Sequence, residues 1–355
     1  MSKSCLSVSA GGRLSASVCK SVSKSVLLVH SAHYQSDLSV LGTKVAFAQD
    51  RGKRVLDELR KEFGAEVIDE SLREPCPLTT NQLSLVHDRA YLDSLKLPAT
   101  WQKVFGTAKA LDNTVENRRL LRKLLREYRI KSGGTLTACR AALKRGLAAN
   151  LGAGYHHSYK DHGDGFCLIN DVAASIRVLQ KEGLVKRVLI VDTDFHQGNG
   201  TSKIFAADDQ VFTLDVHSKE GWPYHKEKSS LDVAVKKDIT PQEYIDKLKK
   251  ALKKALASFA NGADSASGKP DLVVFVQGAD AYENGQLNKG EGFSLPLSTM
   301  KERDELIIDT FVQLGVPLAL VFAGGYGPHA WEAHYQGVKH LLFRAGALSD
   351  TSAAD

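Results

Sequence analysis

From residue 26 onward, short apolar runs alternate along the chain with segments whose apolar positions recur at helical spacing. The apolar runs predict strands at 26–29, 147–151, 188–191, 211–216, 272–276 and 318–322. The intervening segments predict helices at 50–63, 115–131, 133–144, 171–182, 241–260 and 300–314. Such alternation is typical of βαβ units. It predicts an α/β fold, with a single domain built on a central, mostly parallel sheet and helices on both faces.

The composition changes at the two ends of this pattern. Residues 1–25 are rich in Ser and basic residues, and the first acid of the chain is Asp37. Such a stretch is typical of a disordered leader, and it also has the signature of an organellar transit peptide. We expect a basic leader at 1–25, a folded domain at 26–345 and a flexible tail at 346–355.

Charge and cysteine content exclude several classes of protein. Of the net charge of +6, four charges come from Lys3, Arg13, Lys20 and Lys24, so the body of the chain is nearly neutral and direct nucleic-acid binding is not indicated. No apolar run approaches the roughly 18 residues of a membrane span. Five scattered cysteines without a CxxC pair favour a reducing compartment and argue against a cysteine-ligated zinc. We expect a nuclear or cytoplasmic protein, with organellar import as the alternative; the oligomeric state stays open.

The predicted strand at 188–191 runs into alternating acidic and imidazole side chains. Asp192, Asp194 and His196 follow at every second position, and side chains alternate across a strand, so the three are predicted to share one face. Desolvating such groups without partners costs several kcal/mol each. The pattern therefore indicates a bound cation.

Three other predicted strands also end in polar or glycine-rich turns. The turns are 152–157, 277–280 and 323–326. Ligands of open α/β sheets bind beyond the carboxyl ends of the strands, so these turns are expected to converge. Asp194, His196 and Asp280 would then supply three metal ligands and leave one open position, which describes a catalytic zinc.

The same turns offer candidate groups for proton transfer. His156 and His157 are predicted to act as a base and a proton donor, with Asp192 hydrogen-bonded to one of them and Asn199 orienting the other. Tyr326 follows two glycines, and its hydroxyl could donate to the oxyanion of a tetrahedral intermediate.

Taken together, these motifs resemble the zinc-dependent histone deacetylase family, of the arginase/deacetylase fold. The matching residues span roughly 26–342, and the run 196–201 with 132–135 and 215–216 is similar to the class IV branch. The matching motifs are Gly154–Tyr155–His156–His157, Gly165–Phe166–Cys167–Leu168–Ile169–Asn170–Asp171, Asp192–Thr193–Asp194–Phe195–His196, Gly278–Ala279–Asp280 and Gly324–Gly325–Tyr326.

The resemblance implies a role for each matching position. Asp194, His196 and Asp280 match the zinc ligands, His156 and His157 the tandem histidines, and Tyr326 the tyrosine that polarises the scissile carbonyl. The substrate tunnel is implied at Gly165, Phe166, Trp222 and Leu287. A structural potassium ion is implied at Asp192, Asp194, His196, Asp215 and Val216, partly through main-chain oxygens. Gly285 departs from the family, which usually carries a second acid there, and Asn199 stands where many members carry Asp.

The implied activity is zinc-dependent hydrolysis of the Nε-acyl amide of lysine, with acetyl or longer fatty acyl groups, in histone tails or other proteins. A chromatin regulator would fit this activity. The alternatives are an acetylpolyamine or other small-molecule amidohydrolase, and a non-catalytic acyl-lysine-binding scaffold. A binuclear manganese hydrolase of the arginase type is disfavoured because 280–282 offers no second acid.

Overall fold

A computed structural model describes residues 26–43, 48–107, 111–260, 268–285 and 291–346. Its central sheet has eight strands, and every pair of neighbours runs parallel. In chain order the strands are β1 Leu27–Val29, β2 Leu72–Arg73, β3 Leu147–Asn150, β4 Val188–Asp192, β5 Val211–Ser218, β6 Leu231–Val235, β7 Leu272–Gln277 and β8 Leu318–Phe322. Their order across the sheet is β2-β1-β3-β8-β7-β4-β5-β6.

The six strands predicted from the sequence are all present, and the predicted parallel sheet is confirmed. The sequence did not reveal β2 and β6, which lie at the two edges of the sheet. β2 has two residues, and the first four residues of β6 alternate between partly buried and exposed positions, with only its last residue, Val235, buried. Edge strands bury less surface than central ones, so neither shows the continuous apolar run of a parallel strand that is covered on both faces.

Helices cover both faces of the sheet, as predicted. Within β4, Leu189 and Val191 belong to one apolar cluster, whereas Val188 and Ile190 belong to the other. Two 3-10 turns lie at Ala32–Tyr34 and Ser39–Leu41. The helices are α1 Arg51–Phe63, α2 Ala65–Glu70, α3 Thr80–Leu83, α4 Arg89–Ser94, α5 Pro98–Phe105, α6 Val115–Arg145, α7 Asp171–Lys181, α8 Asn199–Phe205, α9 Pro241–Ala260, α10 Leu297–Leu314 and α11 Ala330–Arg344.

The predicted helices at 115–131 and 133–144 are one continuous helix, α6, so the break between them was wrong. The helix begins after Thr114, whose hydroxyl accepts a hydrogen bond from the Asn117 N–H, and it ends at Gly146. Gly133 lies inside it because the chain packs closely there: a Cβ at this position would lie 1.8 Å from the Cys76 carbonyl oxygen. Gly133 therefore allows the helix to pack closely against the Cys76 backbone, and it does not end the helix.

The lysine-rich helix α9 packs against the sheet as a crossover helix. Its buried side chains include Tyr244, Leu248, Leu252 and Phe259, which join the apolar cluster on one face of the sheet. Among the described helices, none combines the length and apolar character needed to cross a membrane.

Candidate metal centre and active site

The turns that follow β3, β4, β7 and β8 meet at one edge of the sheet. The strands β3, β8, β7 and β4 are consecutive neighbours, and all four are parallel. Their carboxyl ends therefore face the same way, and the polar residues after each strand come together. This convergence was predicted from the sequence.

Three buried side chains at this edge form a candidate metal site. Ligand atoms of Asp194, His196 and Asp280 all lie within 4.8 Å of one another. The His196 Nδ1 atom is 2.8 Å from Asp280 Oδ2 and 3.2 Å from Asp194 Oδ1. β4 ends at Asp192, so Asp194 and His196 lie in the loop beyond it and not on one strand face as predicted. Within the described ranges, no other group of three such residues has this geometry.

The donor set fits a divalent cation. Burial raises the pKa of Asp280, and the nearby charge of Asp194 raises it further. Two glycines leave room at the carboxylates: a Cβ on Gly324 would lie 2.5 Å from Asp280 Oδ2 and 2.7 Å from Asp194 Oδ2, and one on Gly278 would lie 2.5 Å from Asp194 Oδ2. Two crowded, buried carboxylates beside an imidazole form the oxygen and nitrogen ligand set that Zn²⁺ takes.

The tandem histidines lie beside this triad, and each has its own partner. His156 Nδ1 lies 2.7 Å from Asp192 Oδ2, and His157 Nδ1 lies 2.8 Å from Asn199 Oδ1. Both hydrogen bonds were predicted from the sequence. Their ring centroids are 4.0 Å apart, so the two imidazoles interact directly.

The two histidines have opposite pKa shifts. Burial lowers the pKa of His156, but the charges of Asp192 and Asp194 outweigh it and raise the pKa to about 10. Burial lowers the pKa of His157 well below its usual value, and the neighbouring His156 and His196 lower it further. A pair of titratable groups with pKa values pushed apart is suited to acid and base roles in one reaction.

Tyr326 lines the same cavity as Asp194, His196 and the histidines His156 and His157. Burial raises the pKa of Tyr326 well above its usual value, and the charges of Asp280 and Asp194 add to this rise. The phenol therefore stays protonated at neutral pH and can donate a hydrogen bond.

Three of the four residues predicted to form a substrate tunnel lie in or beside the cavity. Gly165 and Phe166 line the cavity, and Trp222 packs edge-on against His157 with ring centroids 4.7 Å apart. A Cβ on Gly165 would lie 2.4 Å from His157 Cδ2 and 2.7 Å from Trp222, so only glycine fits between the two rings. Leu287 lies outside the described residues. Gly285, where the family usually has an acid, donates its N–H to the Tyr282 carbonyl at 2.7 Å.

The residues implied for potassium lie beside the triad. Asp192 and Asp215 are paired across β4 and β5, and Val216 is buried next along β5. The Asp215 carboxylate accepts the Gly198 N–H at 2.8 Å and lies 2.6 Å from His217 Nδ1.

Sequence reasoning missed a buried carboxylate that holds the histidine loop. Asp171 accepts hydrogen bonds from the N–H groups of Gly154 at 3.1 Å and Tyr155 at 2.6 Å, and from the Thr135 hydroxyl. Ala153, just before these donors, has a φ of 67°. The carboxylate thus fixes an unusual backbone turn that leads into His156. Asp171 stood in the recognised motif, but nothing in the sequence revealed what it bonds.

A second missed residue ties together the two loops that carry the triad. Arg303 of α10 is fully buried, and it donates to the carbonyls of Gly278 at 2.8 Å and Thr193 at 3.3 Å. Its charge is balanced by Asp304, also fully buried, at 2.8 Å. Gly278 and Thr193 lie close in sequence to Asp280 and Asp194, so the guanidinium sets the separation of the two loops. Adjacent opposite charges in a helix are typical of a solvated surface, so the sequence pattern did not indicate that Arg303 and Asp304 are buried.

We expect Arg303→Ala to lower the free energy of unfolding by about 3–5 kcal/mol, because it leaves the Asp304 carboxylate buried without its partner. The same substitution should weaken zinc binding, since the two ligand loops lose their common donor. Urea denaturation and competition with a chromophoric chelator measure the two effects. Lys301→Ala removes an exposed pair from the same helix and serves as the control, with an expected change below about 1 kcal/mol. Equal stability of the two variants would contradict the role of Arg303.

Comparison with known proteins places the chain in a family. The model of the histone deacetylase domain matches residues 45–342. An uncharacterized protein of Picosynechococcus sp. is 35% identical over 213 residues, which span 60% of this chain and 66% of that protein, just under two thirds. Histone deacetylase 2 of Arabidopsis thaliana is 29% identical over 306 residues, covering 85% of this chain and 74% of that protein.

Solved structures share the fold. The crystal structure of the HD domain of HDA15 superimposes with a TM-score of 0.69 at 20% sequence identity, covering 89% of this chain and 91% of that domain. With the family match over most of its length, the chain belongs to the histone deacetylase family of hydrolases.

Proposed function

We propose that this protein is a zinc-dependent hydrolase of Nε-acyl-lysine amides, with acetyl or longer acyl groups, in histones or other proteins. The observation that carries the proposal is the buried triad Asp194, His196 and Asp280 lying beside two histidines of opposite pKa shift. This arrangement combines a metal site with a base and an acid inside one cavity.

Asp194, His196 and Asp280 would hold the zinc ion. When bound there, zinc supplies Lewis-acid activation of water and of the amide carbonyl. Binding of the ion also balances the two buried carboxylates, which otherwise repel each other. Because the set offers three protein ligands, it leaves an open position for the reacting groups.

The protein's own residues would move the protons. His157, neutral because of its lowered pKa, takes a proton from the attacking water. The Tyr326 hydroxyl donates a hydrogen bond to the oxyanion that forms as the carbonyl carbon becomes tetrahedral. His156, protonated beside Asp192, stabilises that negative charge, and the proton held by His157 passes to the departing lysine nitrogen.

The decisive experiment measures turnover of acetyl-lysine and myristoyl-lysine peptides and of an N-acetylated polyamine. We expect hydrolysis of at least one peptide, its loss after treatment with a chelator, and its return when zinc is added. Mass spectrometry should count one zinc ion per chain. Turnover of the polyamine alone would favour the small-molecule alternative, and zinc-loaded protein inactive on all three would overturn the proposal.

We expect Asn199→Asp to change the pH profile of the reaction. A carboxylate in place of the amide would face His157 Nδ1, where Asn199 Oδ1 now lies at 2.8 Å, and would raise the pKa of His157 by about 1 or more. His157 acts as a base only when it is neutral. On lowering the pH, the variant would therefore become protonated and lose activity at a higher pH than the wild type does. The acidic limb of kcat/KM against pH should therefore move upward. An unmoved limb would contradict the assignment of His157 as the base.

We also propose a structural potassium ion held by Asp192, Asp194, His196, Asp215 and Val216, and membership of the class IV branch. The pairing of Asp192 with Asp215 across β4 and β5 supports the first, and the run 196–201 with Asn199 supports the second. If potassium binds there, the melting temperature should be higher in potassium than in sodium chloride of equal ionic strength, and Asp215→Asn should remove the difference.

A further inference from the structure

Two buried polar residues behind the metal centre, Gln277 and His334, have no part in the chemistry proposed above. Gln277 is the last residue of β7, and His334 lies in α11. Both side chains are fully buried. Buried polar groups are costly unless they form hydrogen bonds, so the contacts of this pair show what it is for.

The Gln277 amide is held in one orientation by its neighbours. Its Nε2 donates to Asp304 Oδ2, the carboxylate that balances Arg303. Its Oε1 therefore faces His334, and the Nδ1 atom of that ring lies 3.1 Å away. A Cβ on Gly337 would clash with Gln277 Nε2, so only glycine fits where α11 crosses the amide. Because the amide oxygen accepts, the proton of the neutral His334 ring is on Nδ1.

The opposite edge of the His334 ring lies against the turn that leads to Tyr326. The ring stacks on Phe322, the last residue of β8, with ring centroids 4.0 Å apart and planes 14° from parallel. A Cβ on Gly325 would lie 3.1 Å from His334 Nε2, so the turn packs directly against this atom. Burial lowers the pKa of His334 well below its usual value. His334 thus supports the turn with a flat, neutral ring.

Packing alone does not account for a histidine at this position. In the part of the chain that the structure describes, His334 Nε2 is buried without a hydrogen-bond partner. A phenylalanine would also stack on Phe322, and it would leave no polar atom of its own unpaired. What phenylalanine lacks is the N–H donor to Gln277, which fixes the rotation of the ring. This hydrogen bond is therefore what the histidine provides.

The turn needs support from outside because its own residues cannot fix it. Gly324 and Gly325 have no side chains, and consecutive glycines leave the backbone many conformations. The N–H of Gly324 donates to Asp194 Oδ2 at 2.7 Å, which fixes the first glycine. The second glycine, next to Tyr326, packs against His334. A group that donates to an oxyanion must be held to within about 0.5 Å of its productive position, so this support matters for the reaction.

Resting on the proposed function, we propose that His334, anchored by Gln277, is a positioning residue for Tyr326. Its ring holds the turn so that the phenol hydroxyl lies where the oxyanion forms. His334 does not line the cavity, so it acts through Tyr326 and not on the substrate. The same anchor reaches the metal loops through Asp304 and Arg303. One hydrogen-bonded chain thus sets the spacing between the metal site and the oxyanion donor.

The test is a double-mutant cycle on an acyl-lysine peptide. His334→Phe keeps the stacked ring and removes the donor to Gln277. We expect kcat per zinc-loaded chain to fall about tenfold with little change in KM, since a misplacement of 1 Å can cost about 100-fold. In the Tyr326→Phe background the same substitution should have no further effect, because the hydroxyl that it positions is already absent. His340→Phe, which breaks a bond to Asp309 in the same helix, is the matched control and should keep the wild-type kcat.

Gly325→Ala approaches the same contact from the turn. Its methyl group would press on His334 Nε2 and displace the turn, so kcat should fall about threefold or more, again only when the Tyr326 hydroxyl is present. This variant keeps the bond between His334 and Gln277. It therefore gives an answer even if His334→Phe folds poorly.

A fluorine label gives a measurement that needs no turnover. With 3-fluorotyrosine at position 326, the fluorine NMR resonance should shift or broaden in His334→Phe and stay unchanged in His340→Phe. An unmoved resonance in His334→Phe, an unchanged kcat, or equal losses of kcat in the two backgrounds would each overturn the inference. Zinc-loaded wild-type protein inactive on every acyl-lysine peptide would overturn the proposed function instead, and the resonance would then decide whether His334 holds Tyr326.

Discussion

Tyr326→Phe is expected to lower kcat by about 100- to 1,000-fold, because the variant loses a single hydrogen-bond donor to the oxyanion. The phenol ring remains, so packing in the cavity and the fold should be retained. KM should change little, since the bond strengthens only as negative charge develops on the carbonyl oxygen. Steady-state kinetics on an acetyl-lysine peptide measure both parameters.

Tyr335→Phe is the matched control for this change. Tyr335 also loses a hydroxyl, but that group is bonded to Glu62 between α11 and α1 and does not line the cavity. Normal kcat is expected for this variant. If Tyr326→Phe turned over substrate at the wild-type rate, Tyr326 would have no part in stabilising the oxyanion.

Asp194→Ala is expected to abolish zinc binding and activity together. Asp194 contributes a ligand to the triad and accepts N–H groups of His196 at 2.9 Å and Gly324 at 2.7 Å, so its removal also releases both neighbours. Loss of a residue that only hydrogen-bonds to a metal ligand weakens metal affinity by roughly 10- to 100-fold. Removing one of the three ligands themselves should weaken zinc affinity by more than this. Zinc content after dialysis against a weak chelator provides a measurement that is independent of turnover.

An exposed acid that does not line the cavity provides the comparison. Asp209→Ala removes one such carboxylate and should retain one zinc ion and full activity. Retention of zinc by Asp194→Ala at the level of Asp209→Ala would exclude Asp194 as a ligand.

The strand-end residues could be predicted because their chemistry conflicts with their surroundings. Asp192 ends an apolar strand, and Asp194 and Asp280 lie just beyond the ends of two such strands, so a buried environment was expected for all three. Buried acids require partners. Parallel strands then place these partners at one edge of the sheet, so the sequence alone was enough to bring distant residues together. The hydrogen bond between Asp192 and one of the tandem histidines followed from the same reasoning.

The residues that support the site could not be predicted, because their sequence context resembles a protein surface. Arg303 and Asp304 stand in a helix among Lys and Glu residues. Only tertiary packing shows that Arg303 and Asp304 are buried. The continuous helix α6 was missed for a related reason, since the two glycines in its interior are explained only by distant parts of the chain. Gly133 packs against the backbone of Cys76, and Gly134 packs against the side chains of Tyr34 and Asn150.

The position of β8 has a consequence for how the protein is made. β8 comes last along the chain, yet it lies between β3 and β7 and is the element that joins them. During synthesis the nascent chain can form the β1–β3 part and the β4–β7 part separately, but they have no shared edge until β8 emerges. The triad lies beyond the neighbouring strands β4 and β7 and can form before β8 emerges, whereas His156, His157 and Tyr326 join it only once β8 lies between β3 and β7. A chain interrupted before β8 would thus keep all three candidate metal ligands but lack Tyr326, the proposed oxyanion donor.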